Sequence, residues 1–181
     1  MQIVEKALNG VVLLEPKVFG DERGFFMETF NERVFRELTG VTLDFVQDNH
    51  SRSARNVLRG LHYQIQQPQG KLVRVVSGSV FDVAVDMRRS SPTYGQWFGA
   101  ELTAQNKRQL WVPPGFAHGF VVTSDTADFL YKTTDYWAPE FERSLAWNDP
   151  TVGVVWPVDG EPLLSAKDKS GAAFGVAESY E

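Results

Sequence analysis

Apolar and polar residues alternate with a period of two along much of this chain, and that pattern predicts strands. From Ser79 to Arg88, Phe81, Val83, Val85 and Met87 alternate with Asp82, Ala84, Asp86 and Arg88, as in a strand with one polar face. The run 71–76 precedes it, and Ser77-Gly78-Ser79 between them reads as a compact hairpin. Further strand-like runs cover 11–14, 24–30, 43–47, 57–65, 98–102, 116–122 and 127–134. One helix is predicted. Asn31 suits its N-cap, Val34, Phe35 and Leu38 share a face, and Gly40 ends it. Phe30 and Phe35 are spaced for a hydrophobic staple across that cap. Many short strands with few short helices predict an all-β fold, a double-sheet jelly roll or barrel. After Trp137 the alternation loosens, and the tail from about 171 is expected to pack loosely.

Composition narrows the function classes. A chain of 181 residues with 43% hydrophobic content suits one core, so 1–181 reads as a single domain. A formal net charge of −5 argues against a general nucleic-acid binder, while leaving room for a local basic pocket for a small anion. There is no cysteine, which excludes disulfides, thiolate metal sites and cysteine nucleophiles. The first residues lack the apolar core of a signal peptide, and no stretch approaches membrane-span length. A soluble, cytoplasmic protein is expected.

The candidate chemistry centres on His62, one of three histidines, in Arg59-Gly60-Leu61-His62-Tyr63-Gln64. An imidazole metal site on a strand wants a second histidine two residues on, and Gln64 stands there instead. His118 offers one further ligand, and His50 lies in a polar run resembling a loop rim. No metal is therefore expected, and His62 becomes a candidate general base. From the residues alone, a buried histidine satisfied by backbone remains the favoured alternative. His118, which shares a face with Phe116, Phe120 and Val122, reads equally as a core residue. Lys71 alternates with Val73 and Val75, so it either meets an anion inside or snorkels to water. Tyr131, on a face with Phe129 and Thr133, reads as core before it reads as a proton donor. Arg23 and Arg59 are candidate phosphate forks, Phe26 and Trp137 candidate stacking rings, and Lys167-Asp168-Lys169 a charge cluster.

Eight ordered segments, spread over roughly residues 10 to 170, resemble the dTDP-4-dehydrorhamnose 3,5-epimerase family. They are 19–26 (FGDERGFF), 46–51 (VQDNHS), 58–64 (LRGLHYQ), 70–74 (GKLVR), 81–86 (FDVAVD), 114–120 (PGFAHGF), 129–134 (FLYKTT) and 164–168 (LSAKD). The resemblance implies a cupin-type jelly roll and a cofactor-free, metal-free homodimer of dTDP-L-rhamnose synthesis. The implied reaction inverts carbons 3 and 5 of a dTDP-linked 4-keto-6-deoxyhexose. It makes His62 the base, Asp168 its orienting carboxylate, Lys71 the stabiliser of the enolate oxygen and Tyr131 the opposing proton donor. Gln47, Asp48, Asn49, Arg59, His118, Glu142 and Lys167 would line the substrate site, with Arg23, Phe26 and Glu28 arriving from the partner subunit. Trp137 stands where some members carry tyrosine, so stacking is implied there without a phenol. Inversion at a single carbon, or a silent nucleotide-sugar binding module, are the competing readings.

Overall fold

In the computed structural model, which describes residues 1–181, the alternating segments form thirteen strands. They are β1 (Gln2–Ala7), β2 (Val11–Glu15), β3 (Val18–Asp21), β4 (Gly24–Met27), β5 (Gln47–Ala54), β6 (Leu58–Gln64) and β7 (Lys71–Ser77). The others are β8 (Ser79–Asp86), β9 (Trp97–Thr103), β10 (Gln109–Val112), β11 (Phe116–Val122), β12 (Thr126–Thr133) and β13 (Glu142–Ser144). One sheet runs β1-β2-β10-β7-β12-β5 and the other β13-β6-β11-β8-β9, while β3 and β4 form a separate hairpin. From β5 to β12 the chain changes sheet at every connection except β8 to β9. That path is a jelly roll, as the strand pattern predicts, and of the cupin type that the resemblance implies.

The fold has more layers than two sheets. Val73, Val75, Ala84, Leu110, Phe120 and Phe129 form the core between the sheets. On the outer side of the six-stranded sheet lies α1 (Glu32–Thr39), whose Phe35 ring packs 5.4 Å from Trp111. Its caps follow the sequence signals: Val34 N–H donates to the Asn31 side chain at 3.2 Å, and Gly40 adopts φ +75°. Phe30 and Phe35 sit 5.9 Å apart as the staple. The outer side of the five-stranded sheet is apolar too, and Trp156, Leu145 and Ala177 from the C-terminal third cover it. No helix is long and apolar enough to cross a membrane.

Four expectations are corrected. Ser77-Gly78-Ser79 is a corner between sheets and not a hairpin, because β7 pairs with β10 and β12 while β8 pairs with β11 and β9. Gly78 takes φ +75° there, where a Cβ would fall 1.9 Å from the Thr126 carbonyl oxygen, so only glycine passes. Residues 43–46 are not a strand. The strand begins at Gln47 and carries the polar run QDNHSRSA, so His50 belongs to a strand rather than a loop rim. The supposed polar face of β8 is buried, with Asp82 and Asp86 both at 0% exposure. The tail is tied down: Tyr180 Oη donates to the Gln64 carbonyl, and Tyr63 Oη donates to the Glu178 carbonyl at 2.6 Å. An apolar outer sheet face needs a cover, and the tail supplies part of it.

Candidate active site

At one end of the sandwich the apolar filling gives way to ionisable side chains around a cavity of about 400 Å³. The five-stranded sheet contributes Arg59 and His62 from β6 and His118 from β11; the six-stranded sheet contributes Lys71, Asn49 and Tyr131 from β7, β5 and β12. A short helix, α2 (Ala166–Lys169), brings Lys167 and Asp168 to the same wall. A larger, more open groove of about 750 Å³ lies beyond the Ser165–Asp168 turn, lined by residues such as Leu58, Trp147 and Pro162. It shares Arg59, Ser165 and Asp168 with the smaller cavity but none of His62, Lys71 and Tyr131. The smaller cavity is where the titratable groups converge.

Strict alternation would send Arg59 and His62, three residues apart, to opposite faces of β6. Both line the cavity because the β6–β11 register slips between the His118–His62 and Phe120–Arg59 pairs. That bulge re-aims one side chain. Two glycines permit it: a Cβ on Gly60 would lie 2.6 Å from Gly119 Cα, and one on Gly119 would lie 2.6 Å from the Arg59 oxygen.

His62 Nε2 donates to Asp168 Oδ1 at 2.6 Å, so the neutral ring carries its lone pair on Nδ1. Asp168 is only 3% exposed. It also accepts from Ser165 Oγ at 2.6 Å and Gly60 N–H at 3.2 Å, while its own N–H donates to Ser165 Oγ, the N-cap of α2. Burial alone would raise the Asp168 carboxyl. The hydrogen bonds from His62 and Ser165, the His62 charge and the Gly60 N–H outweigh burial and hold it at about 2. The carboxylate is therefore ionised at neutral pH. Burial lowers His62 below its ordinary value, against the pull of Asp168, so the ring is neutral and able to accept a proton.

On the facing wall, burial pushes Lys71 down to about 8, opposed by Glu142 and Asp82 and assisted by Lys167. Tyr131 is raised, first by burial and then by Glu142, against Arg59, and holds its proton. Glu142 on β13 pairs with Lys167 across the mouth. Arg59 Nε donates to Ser53 Oγ at 3.0 Å. Gln47 donates to Asn49 Oδ1 at 3.0 Å and accepts from Trp137 N–H at 3.2 Å, linking the inner face of β5 to the exposed Trp137. Asn49 Nδ2 is buried with no partner in the chain.

Seven predicted residues do not line this cavity: Gln47, Trp137 and Glu142 reach it only through the contacts just described, and Asp48, Arg23, Phe26 and Glu28 stay apart from it. Asp48 lies on the opposite face of β5 from Asn49 and takes a hydrogen bond from Lys132 Nζ at 2.7 Å, as alternation requires. Arg23 pairs with Asp21 at the tip of the β3–β4 hairpin, Phe26 there is 70% exposed, and Glu28 accepts from Asn31. The hairpin pairs only with itself, so it does not carry these three into the chain's own cavity. Gln64 is committed elsewhere. Its amide donates to the carbonyls of Gln67 and Tyr136 and accepts from Ala138 N–H, which fixes the loop carrying Trp137.

Sequence reasoning missed Asp82. His118 Nε2 lies 2.9 and 3.0 Å from its two oxygens, so a second histidine–aspartate pair sits beside the first. The available signal was an aspartate amid Val80, Val83 and Val85, but reading a solvated face there hid it. His118 is Cα-paired with His62 across β6 and β11.

Comparison with known proteins gives a consistent result. The sequence model described as dTDP-4-dehydrorhamnose 3,5-epimerase matches residues 5–175. A Pseudomonas aeruginosa protein named dTDP-4-dehydrorhamnose 3,5-epimerase is 62% identical over 180 residues, covering 99% of each chain. The crystal structure of a Legionella pneumophila dTDP-6-deoxy-D-glucose-3,5-epimerase in complex with dTDP-4-keto-L-rhamnose superposes with a TM-score of 0.95. It is 50% identical and covers 99% of this chain and 98% of its own. A 3′-monoepimerase from Streptomyces bikiniensis in complex with dTDP-quinovose, 32% identical, superposes at 0.88 over 97% of this chain and 88% of its own. Fold similarity therefore does not separate one-carbon from two-carbon chemistry.

Proposed function

The chain belongs to the dTDP-4-dehydrorhamnose 3,5-epimerase family, and from that premise we propose how its cavity performs the reaction. The protein is an isomerase that epimerises dTDP-4-dehydro-6-deoxy-D-glucose at carbons 3 and 5, giving dTDP-4-dehydro-L-rhamnose. The 4-keto group acidifies the hydrogens on both neighbouring carbons, since either carbanion delocalises onto the same oxygen. Nδ1 of His62 takes the proton, and ionised Asp168 stabilises the imidazolium that forms. The Lys71 ammonium stabilises the enolate oxygen, one donor serving both carbons. Tyr131 returns a proton from the other side.

One observation carries this assignment. His62 stands on the five-stranded sheet, while Tyr131 and Lys71 stand on the facing sheet across one cavity. Inversion needs an acid opposite the base, because a proton returned to the same face restores the starting sugar. The carbonyl is itself the electron sink, so these side chains suffice for the proton transfers. Arg59, Lys167, Glu142, His118, Asn49 and Gln47 hold the sugar and diphosphate, with Trp137 against the base. A second copy supplies Arg23, Phe26 and Glu28. This dimer reading is supported by Phe19, Phe25 and Phe26, each more than half exposed on a hairpin pairing only with itself. The enzyme works in the cytoplasm.

The test is mass spectrometry of dTDP-4-keto-6-deoxyglucose incubated with the protein in heavy water. Enzyme-dependent gain of two deuterons, at carbons 3 and 5, is expected. One deuteron would assign a single-carbon epimerase, and none would leave a binding module.

A further inference from the structure

After β12 the chain carries two rings that the fold leaves open: Tyr136 is 63% exposed and Trp137 59%. Residues 135–138 belong to no strand, so their backbone groups must find partners elsewhere. Three glutamines supply them. Gln69 Nε2 donates to the Asp135 carbonyl at 2.9 Å, and Gln47 Oε1 accepts from Trp137 N–H at 3.2 Å. Gln64 holds both neighbours of Trp137. Its Nε2 donates to the Tyr136 carbonyl at 3.2 Å, and its Oε1 accepts from Ala138 N–H at 2.9 Å. The same Nε2 donates at 2.8 Å to the carbonyl of Gln67, whose backbone takes φ +50°. A residue with a side chain keeps that conformation only where its surroundings hold it, so this bond also steadies the turn before Gln69.

We propose that Gln64 is a positioning residue for the nucleotide: buried at the end of β6, its amide clamps the peptides on either side of Trp137 and holds that ring as a preformed platform for the base. This inference rests on the stacking role given above to Trp137. Gln64 is only 3% exposed, and all three of its side-chain hydrogen bonds go to backbone. Turned over, the amide would set its oxygen against two carbonyls, so its partners fix its orientation. Its own carbonyl is anchored by Tyr180 Oη. Gln47 and Gln64 stand on facing sheets, so the Trp137 loop is gripped from both.

An indole on an unclamped loop would have to be ordered each time a nucleotide bound, and that ordering weakens affinity. The clamp supplies the order in advance. Position 64 is where a strand metal site would place its second histidine, and here the same position serves binding instead. Gln64 does not line the cavity that holds His62, Lys71 and Tyr131. Its loss therefore weakens binding of substrate and transition state alike, which raises KM and leaves the chemical step in place.

The test is a double-mutant cycle of Gln64→Met and Trp137→Ala. It reads kcat and KM by deuterium uptake into dTDP-4-keto-6-deoxyglucose, and Kd for dTDP by calorimetry. Methionine is close to glutamine in size and makes none of the three bonds. Gln64→Met is expected to raise KM and Kd about tenfold, the factor for a loop that holds Trp137 in place roughly a tenth of the time. Its kcat should stay within about twofold of normal. Added to Trp137→Ala, it should raise KM and Kd no further, because no ring is left to place. A loss in kcat as large as the change in KM, an unchanged KM, or a further rise of the same size on top of Trp137→Ala overturns the proposal. If Gln64→Met does not fold, Gln64→Asn, one methylene short of the loop, is read in the same way. Trp137→Ala with unaltered KM and Kd would instead remove the stacking role, and the clamp's purpose with it. Failure of the unaltered protein to exchange deuterium would remove the epimerase reading itself.

Discussion

Replacing Asp168 with asparagine tests the catalytic pair and the fold in one variant. The Asp168 carboxyl, held at about 2 in the folded chain, compares with about 3.9 in an unfolded one. That difference corresponds to roughly 2 to 3 kcal/mol of stability at neutral pH. A depressed carboxyl stabilises the fold wherever the unfolded group is also ionised. Its contribution is complete above about pH 4 and lost as the pH falls toward 2. Asp168→Asn should therefore lower Tm at pH 7 by about 5 to 10 °C, with the deficit closing in acid. Activity should fall much further. An amide does not neutralise the imidazolium, and it can offer Nδ2–H to Nε2, favouring the tautomer with its proton on the wrong nitrogen. A loss of roughly 10² to 10⁴ in kcat is expected. Initial rates of deuterium uptake, with thermal melts at pH 7 and 3, measure both quantities. A variant within a factor of a few of normal kcat would refute the pair as the base.

Other substitutions separate the remaining roles. Tyr131→Phe should keep deuterium exchange at the sugar while inversion drops by roughly 10² or more, since His62 still abstracts and returns protons on its own side; parallel loss of both would remove Tyr131 as the opposing acid. Gly60→Ala should cost about 3 kcal/mol or more by chemical denaturation, because φ +123° and a Cβ 2.6 Å from Gly119 Cα leave no relaxed solution. A mild effect there would mean that the bulge does not depend on glycine. Tyr180→Phe removes the hydrogen bond to the Gln64 carbonyl and should cost about 1 kcal/mol, whereas an unchanged denaturation midpoint would make the tail a passive cover. Phe26→Ala should raise KM with kcat little changed if a second copy presents this ring, and an active monomer by light scattering would contradict the arrangement.

How much of this was legible beforehand varies by element. The helix from Glu32 to Thr39 was written in adjacent residues, with Asn31, Gly40 and the Phe30–Phe35 staple all acting within a turn or two. β11 was equally plain, since both its faces are lined by buried residues. The chain also carried the identities of His62, Lys71, Tyr131 and Asp168, and the family resemblance linked them. β5 was not legible. Its inner face meets a cavity and its outer face meets solvent, so hydrophobic alternation never marked it.

Other features depend on distant segments and only the tertiary structure decided them. Turn chemistry at Gly78 reads the same whether the chain folds back in one sheet or crosses to the facing one; the partners of β7 and β8 settle which. The burial of Asp82 depends on both faces of β8 being covered, one by the facing sheet and one by chain drawn from the C-terminal third. The approach of Asp168 to His62, across 106 positions, depends on where that covering chain docks. Short-range rules set which segments can be strand, helix or turn, because backbone sterics and capping act between neighbours. Where charges end up, and hence which of them can react, follows from packing between segments far apart in the chain.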